Sequence, residues 1–166
     1  MESTKESLLV KMVLDAWFSK VEKANQLLNS LTEEDLLKEV ANGRSRGIYL
    51  LGHLTAVHDR LFPLLGFGNA IYPELYATFV DKPDKAVAEI TSAKALKDNW
   101  KNVNDTLEAK YNTTSVAEWF QKHTSVSEAD FVKEPHRNKL NVIISRTNHL
   151  EHHLGQLTFL LKNQSL

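Results

Sequence analysis

The sequence predicts an all-α protein, a four-helix bundle, and three observations carry that prediction. Apolar residues recur at three- and four-residue spacing over four long segments. No run of alternating β-branched residues marks a strand. Two of the links between segments are long, and the rest of the chain is taken up by helical pattern. With 166 residues the chain suits one domain spanning 1–166 and can bury a substantial core.

The first helix covers about residues 3–28. Leu8, Leu9, Met12, Trp17, Val21, Ala24, Leu27 and Leu28 recur at helical spacing, with Lys20, Glu22 and Lys23 on the opposite side. Thr32 then offers a capping hydroxyl ahead of Glu33, Glu34 and Asp35, acidic residues suited to a first turn. This predicts a short helix over about 33–39, ended by Asn42-Gly43.

A second long helix is expected over about 45–65, with Leu50, Leu54, Val57, Leu61 and Leu64 as its apolar stripe. Gly66, Gly68 and Asn69 stop it. The link that follows includes IYPELYATFVDKPD, with Pro73 and Pro83. Antiparallel neighbours need only about 2–8 linking residues, so this length predicts a crossover between parallel neighbours. The third long helix spans about 85–111, with Val87, Ile90, Leu96, Trp100, Val103 and Leu107 inward. Short helices near 115–121 and 127–131 precede Glu134-Pro135, and the fourth long helix runs over about 138–162.

Composition narrows the function. Twenty Lys and Arg face 21 Asp and Glu, a net charge of -1, which gives no pull toward phosphate backbones or anionic lipid. Nucleic acid is thus not the expected partner. Cysteine is absent, which excludes disulfides, thiolate zinc sites and a cysteine nucleophile. The N-terminal stretch is interrupted by Glu2, Lys5, Glu6, Lys11 and Asp15, unlike a secretory signal, and no segment has the length of a membrane span. The expected location is the cytoplasm, with no membrane partner. Trp17, Phe18, Trp119 and Phe120 supply more aromatic surface than the helix stripes require. They either cover one end of the bundle or enter a subunit contact.

The histidines carry the chemistry. Seven lie at positions 53, 58, 123, 136, 149, 152 and 153. Residues i and i+4 on a helix stand about 6 Å apart along the axis, so His149 and His153 can reach one ion. His149 and His152 form a second possible pair. A helical wheel sets His149 and His153 beside the apolar arc of Ile143, Leu150, Leu154, Leu157 and Leu161, whereas His152 groups with Ser145, Asn148 and Gln156. A bundle-core site also needs a ligand from a facing helix. His53 and His58 flank the stripe of the second helix from opposite sides, and periodicity does not choose between them. His58, next to Asp59 and Arg60, reads as a polar flank; His123 and His136 read as surface residues. Three neutral imidazoles with open positions suit Zn²⁺, Ni²⁺ or Fe²⁺.

Leu51-Gly52-His53-Leu54, paired with His149-x-x-x-His153-x-Gly155-Gln156, resembles the DinB/YfiT-like superfamily of metalloenzymes over nearly the whole chain. The resemblance implies a bundle in up-down-down-up order with short helices in its connections. It implies a divalent metal held by one histidine of the second helix and two of the fourth, here His53, His149 and His153. Family members often carry arginine after the last ligand, where this chain has Leu154. Characterised relatives of that kind are thiol S-transferases and isomerases, so the resemblance implies a low-molecular-weight thiol cosubstrate and a small-molecule substrate. It also implies a homodimer. Metal-bound thiol is a nucleophile that needs no protein cysteine. The alternative reading is a bundle that binds metal or a small ligand without catalysis. No GxSxG, phosphate loop, dinucleotide fingerprint or HExxH is present, and no acid/base residue is identified.

Overall fold

The computed structural model describes residues 4–87 and 90–161. Among them every regular element is helical, and the only extended pairings are isolated bridges, Glu39 with Arg46 and Lys122 with Asn138. The elements are α1 (Lys5–Ser30), α2 (Glu33–Leu36), α3 (Gly47–Asp59), α4 (Leu61–Leu65), α5 (Glu74–Phe79), α6 (Ala93–Thr113), α7 (Val116–Trp119), α8 (Glu128–Lys133) and α9 (Lys139–Leu157), closed by a 3₁₀ turn over Thr158–Leu160. Side-chain caps start most of them. Thr4, Ser92, Ser115, Ser127 and Asn138 each accept a first-turn N–H, and Thr32 with Asp35 forms a reciprocal capping box. No described helix is long and apolar enough to cross a membrane.

Among the long helices three boundaries differ from expectation, and the short helix expected over 33–39 ends at Leu36. The helix expected over 45–65 breaks at Arg60. Pro63 has no N–H to give the carbonyl of Asp59, and its ring crowds that carbonyl. Ending one helix and starting another puts Pro63 in a first turn, where the N–H has no intrahelical acceptor anyway. The Asp59 carboxylate at this break accepts the N–H groups of Ile71 (2.7 Å) and Tyr72 (2.8 Å), which ties the long link back to the helix. The third long helix starts at Ala93 rather than near 85, because Lys85 has a left-handed φ of 69° and Ser92 supplies the cap. The fourth ends as α-helix at Leu157; Lys162, like Ser3 at the other end, lies outside the described residues.

The long helices pack through two apolar clusters. One joins Leu28 and Leu31 with Leu36, Leu51, Leu54, Leu96, Leu150, Leu154 and Leu157. The other joins Val10 and Trp17 with Leu61, Leu65, Val103, Leu107, Tyr111, Leu140 and Ile143. Between them Lys20 of α1 pairs with Glu151 of α9, and His58 of α3 reaches Asn104 of α6. Trp17 and Trp119 are 1% and 0% exposed, with Tyr111 edge-on to Trp119 at 5.2 Å. These aromatics therefore close the protein's own core. Leu8, Leu9 and Met12, expected inward, are exposed, and Met12 reaches 61%. Leu9 and Met12 border a shallow apolar cleft whose other wall is Ile144 and Thr147 of α9.

Candidate metal centre

His53 projects from α3, and His149 and His153 project from α9. Each follows or precedes a leucine that anchors its helix. Leu54 and Leu150 are fully buried and Leu154 nearly so, which leaves the adjoining imidazoles half-buried at the seam between the two helices. There the rings meet. His149 Nε2 lies 3.1 Å from His53 Nε2 and 3.2 Å from His153 Nε2, and one ligand atom from each residue lies within 4.8 Å of the others.

Hydrogen bonds fix what those nitrogens present. His53 Nδ1 lies 2.8 Å from the Phe79 carbonyl, which can only accept, so Nδ1 carries the proton. His153 Nδ1 donates in the same way to Gln156 Oε1 at 2.7 Å. Both rings therefore turn a lone pair on Nε2 toward His149. Burial, together with the neighbouring His153, His53 and Arg146, lowers the His149 pKa to about 4. Burial also lowers that of His153, against the Gln156 hydrogen bond. Those two rings are then neutral at physiological pH, the form that ligates metal.

The donor set fits a divalent cation. One proton on His149 can bridge to one neighbour, whereas a cation serves all three lone pairs. Zinc–nitrogen bonds of about 2.0–2.1 Å at tetrahedral angles put ligand nitrogens about 3.3 Å apart, close to the two spacings to His149 Nε2. His149 Nδ1 is buried without a hydrogen-bond partner, in contrast to the other two rings.

Residues that sequence reasoning did not single out complete the centre. Phe79, at the end of α5, supplies the carbonyl that orients His53. A Cβ at Gly52 would run into the Phe79 ring, so only glycine there lets α5 approach α3 this closely. Tyr49, one turn before His53, lies near-parallel to its ring at 6.4 Å and donates its hydroxyl to the Lys82 carbonyl at 2.6 Å. Gly52 and Gln156 stood within the recognised motif, but nothing in the spacing gave their roles. Phe79 carried no sequence signal at all.

The remaining histidines sit elsewhere. His58 is 0% exposed, not a polar flank, and lies between the rings of Trp17 (4.6 Å) and Trp100 (4.8 Å). Its Nδ1 donates to Asn104 Oδ1 at 2.8 Å, and Asn104 donates on to the Trp100 carbonyl. Burial drives the His58 pKa down to about 3. His152 and His136 are exposed; His123 is half-buried with an unpartnered Nδ1.

A cleft of about 260 Å³ opens beside the cluster, lined by Arg44, Tyr49, His53, Val80, His153 and Gln156 among others, with no carboxylate in its lining. A second cavity, about 590 Å³ between α1 and α6, reaches none of these histidines. No protein-family model matches the chain, and no curated protein matches it either.

Proposed function

We propose that this chain is a DinB-like bundle of four long helices in up-down-down-up order, and a metal-dependent enzyme of the thiol S-transferase type acting on a small electrophile. The order is supported by which ends share a cluster. Early α1 shares a cluster with early α9 (Val10 and Leu140), and late α1 shares the other with late α9 (Leu28 and Leu157). Likewise Leu54 of α3 clusters with Leu96 at the start of α6, and Leu65 of α4 with Leu107 further along it. Both pairs fit parallel neighbours, with the long link as the crossover.

The observation that carries the function is the convergence of three Nε2 atoms beside an open cleft that His53 and His153 line. A structural metal has a closed shell, whereas a catalytic one keeps a position open to substrate. His53, His149 and His153 would hold Zn²⁺, Ni²⁺ or Fe²⁺, which would supply the Lewis acidity that favours the thiolate form of a low-molecular-weight thiol. The chain's own residues set the geometry. Phe79 and Gln156 hold two rings by their Nδ1 atoms, Tyr49 backs His53, and Val80 gives the cleft an apolar wall. The near-neutral charge supports a small-molecule substrate over nucleic acid. A two-fold homodimer is part of the proposal, supported by the exposed apolar face of Leu9, Met12 and Ile144 instead of the buried tryptophans.

Metal analysis of the purified protein tests the site. One divalent ion per chain is expected, lost in His149→Ala. Transfer of several low-molecular-weight thiols to a fluorogenic electrophile tests the reaction. Metal retention without transfer from any thiol would leave metal binding as the function and refute the transferase.

A further inference from the structure

The turn between α2 and α3 uses its charges in pairs, with one exception. Lys38 pairs with Asp35 and Glu34; Glu39 pairs with Lys85 and accepts the Gly43 N–H at 2.9 Å. The Arg46 guanidinium and backbone N–H both bind Asp84, at 2.7 and 2.8 Å. These contacts pin the turn on both sides of residue 44. Backbone bonds close it further, from Val40 N to Ser45 O and from Arg44 N to Ala41 O. Arg44 itself is exposed and has no acidic partner among the described residues, whereas the turn's other basic residues, Lys38 and Arg46, both do. Its side chain borders the cleft that His53 and His153 line.

We propose that Arg44 is an anion-binding residue of this cleft, selecting small ligands that carry a carboxylate at the end remote from the histidine cluster. The planar guanidinium offers a forked donor matched to a carboxylate, and the braced turn fixes where its stem leaves the backbone. A single positive charge, with no lysine in the lining, suits a monoanion better than a phosphate dianion. Val40, Leu50 and Val80 also line the cleft and suit a short aliphatic spacer, and a volume of about 260 Å³ limits the ligand to a few carbons beyond its two polar ends. The inference rests on the cleft being the substrate site of the reading above, and it names the substrate class.

Butyrate and butyramide, matched in size and differing in charge, separate the two ideas when titrated into metal-free protein by two-dimensional NMR. Butyrate should shift the Arg44 Nε–H and the Tyr49 and Val80 amides saturably, at least about tenfold more tightly than butyramide. Arg44→Gln should abolish that preference while leaving the folded spectrum intact. Equal binding of the two probes, or an unchanged preference in Arg44→Gln, overturns the inference. Zinc content of the same protein is read separately. Loss of zinc binding with the butyrate preference retained would strike the metal site and not Arg44. In the zinc-loaded protein, 4-mercaptobutyrate should likewise outbind its amide, and Arg44→Gln should remove the difference.

Discussion

Replacing Gly52 by alanine tests how the helix α3 histidine is aimed. The new Cβ would fall against the Phe79 ring, so Phe79 and the end of α5 must move away from α3. The Phe79 carbonyl moves with them, and His53 loses the acceptor that sets its tautomer and angle. Overpacking of this kind costs about 1–3 kcal/mol, offset by the roughly 1 kcal/mol that alanine gains over glycine in a helix. Stability should thus fall only slightly. Metal affinity should fall further, by about 10–100-fold, as expected when the outer partner of a ligating histidine is lost. Gly155→Ala is the control, since a Cβ there meets nothing within 4 Å. It should raise stability by up to about 1 kcal/mol and leave affinity unchanged. Urea unfolding and zinc competition against a chromogenic chelator measure both quantities. Equal zinc affinity in Gly52→Ala and Gly155→Ala would refute the claim that Phe79 aims His53.

Stability of the metal-free protein should fall with acidity. His58 has a folded pKa of about 3, below its unfolded value of about 6.5, so the unfolded chain takes the proton first; this stability is complete above about pH 6.5 and lost toward pH 3. Between about pH 7 and 5 His58 alone contributes a loss of about 2 kcal/mol, with His149 adding in the same direction, and urea unfolding of His58→Phe should show a shallower slope. An unchanged slope would contradict the assignment. Met12→Glu should convert a dimer to monomer by light scattering without loss of helix, because it charges an exposed apolar face. Trp119→Ala, by contrast, should cost about 3–5 kcal/mol of folding stability, since the indole is wholly buried.

Much of the helical content was legible because burial follows period. Leu50, Leu54, Leu96, Trp100, Val103, Leu107 and Leu150 are all buried where the pattern placed them. The pattern was less informative at the ends. It carried the second helix through Pro63, where the missing N–H forces a break, and it extended the third back past Ser92 onto a residue with positive φ. On α1 it could not separate Trp17, which is buried, from Met12, which is not. Both are apolar, and what covers Trp17 is the packing of other helices, His58 of α3 and Tyr111 of α6.

The site was legible in part for a similar reason. The four-residue spacing of His149 and His153 is a property of one helix, whereas their partner on α3 is a property of three. His53 and His58 stand five residues apart, about 140° around the axis, on either flank of one stripe. Each donates its Nδ1 proton to an oxygen 2.8 Å away, so local chemistry does not separate them. What separates them is where that oxygen lies. Asn104 belongs to α6, and donating to it draws His58 between two tryptophans, away from the cleft. The Phe79 carbonyl closes a short helix in a link that carried no functional signal, and bonding to it leaves His53 Nε2 facing His149 on α9. Which histidine joins the cluster is therefore written in the residues that receive the other nitrogen's proton. Those residues lie 26 and 46 positions away in the chain, beyond the reach of any helical period.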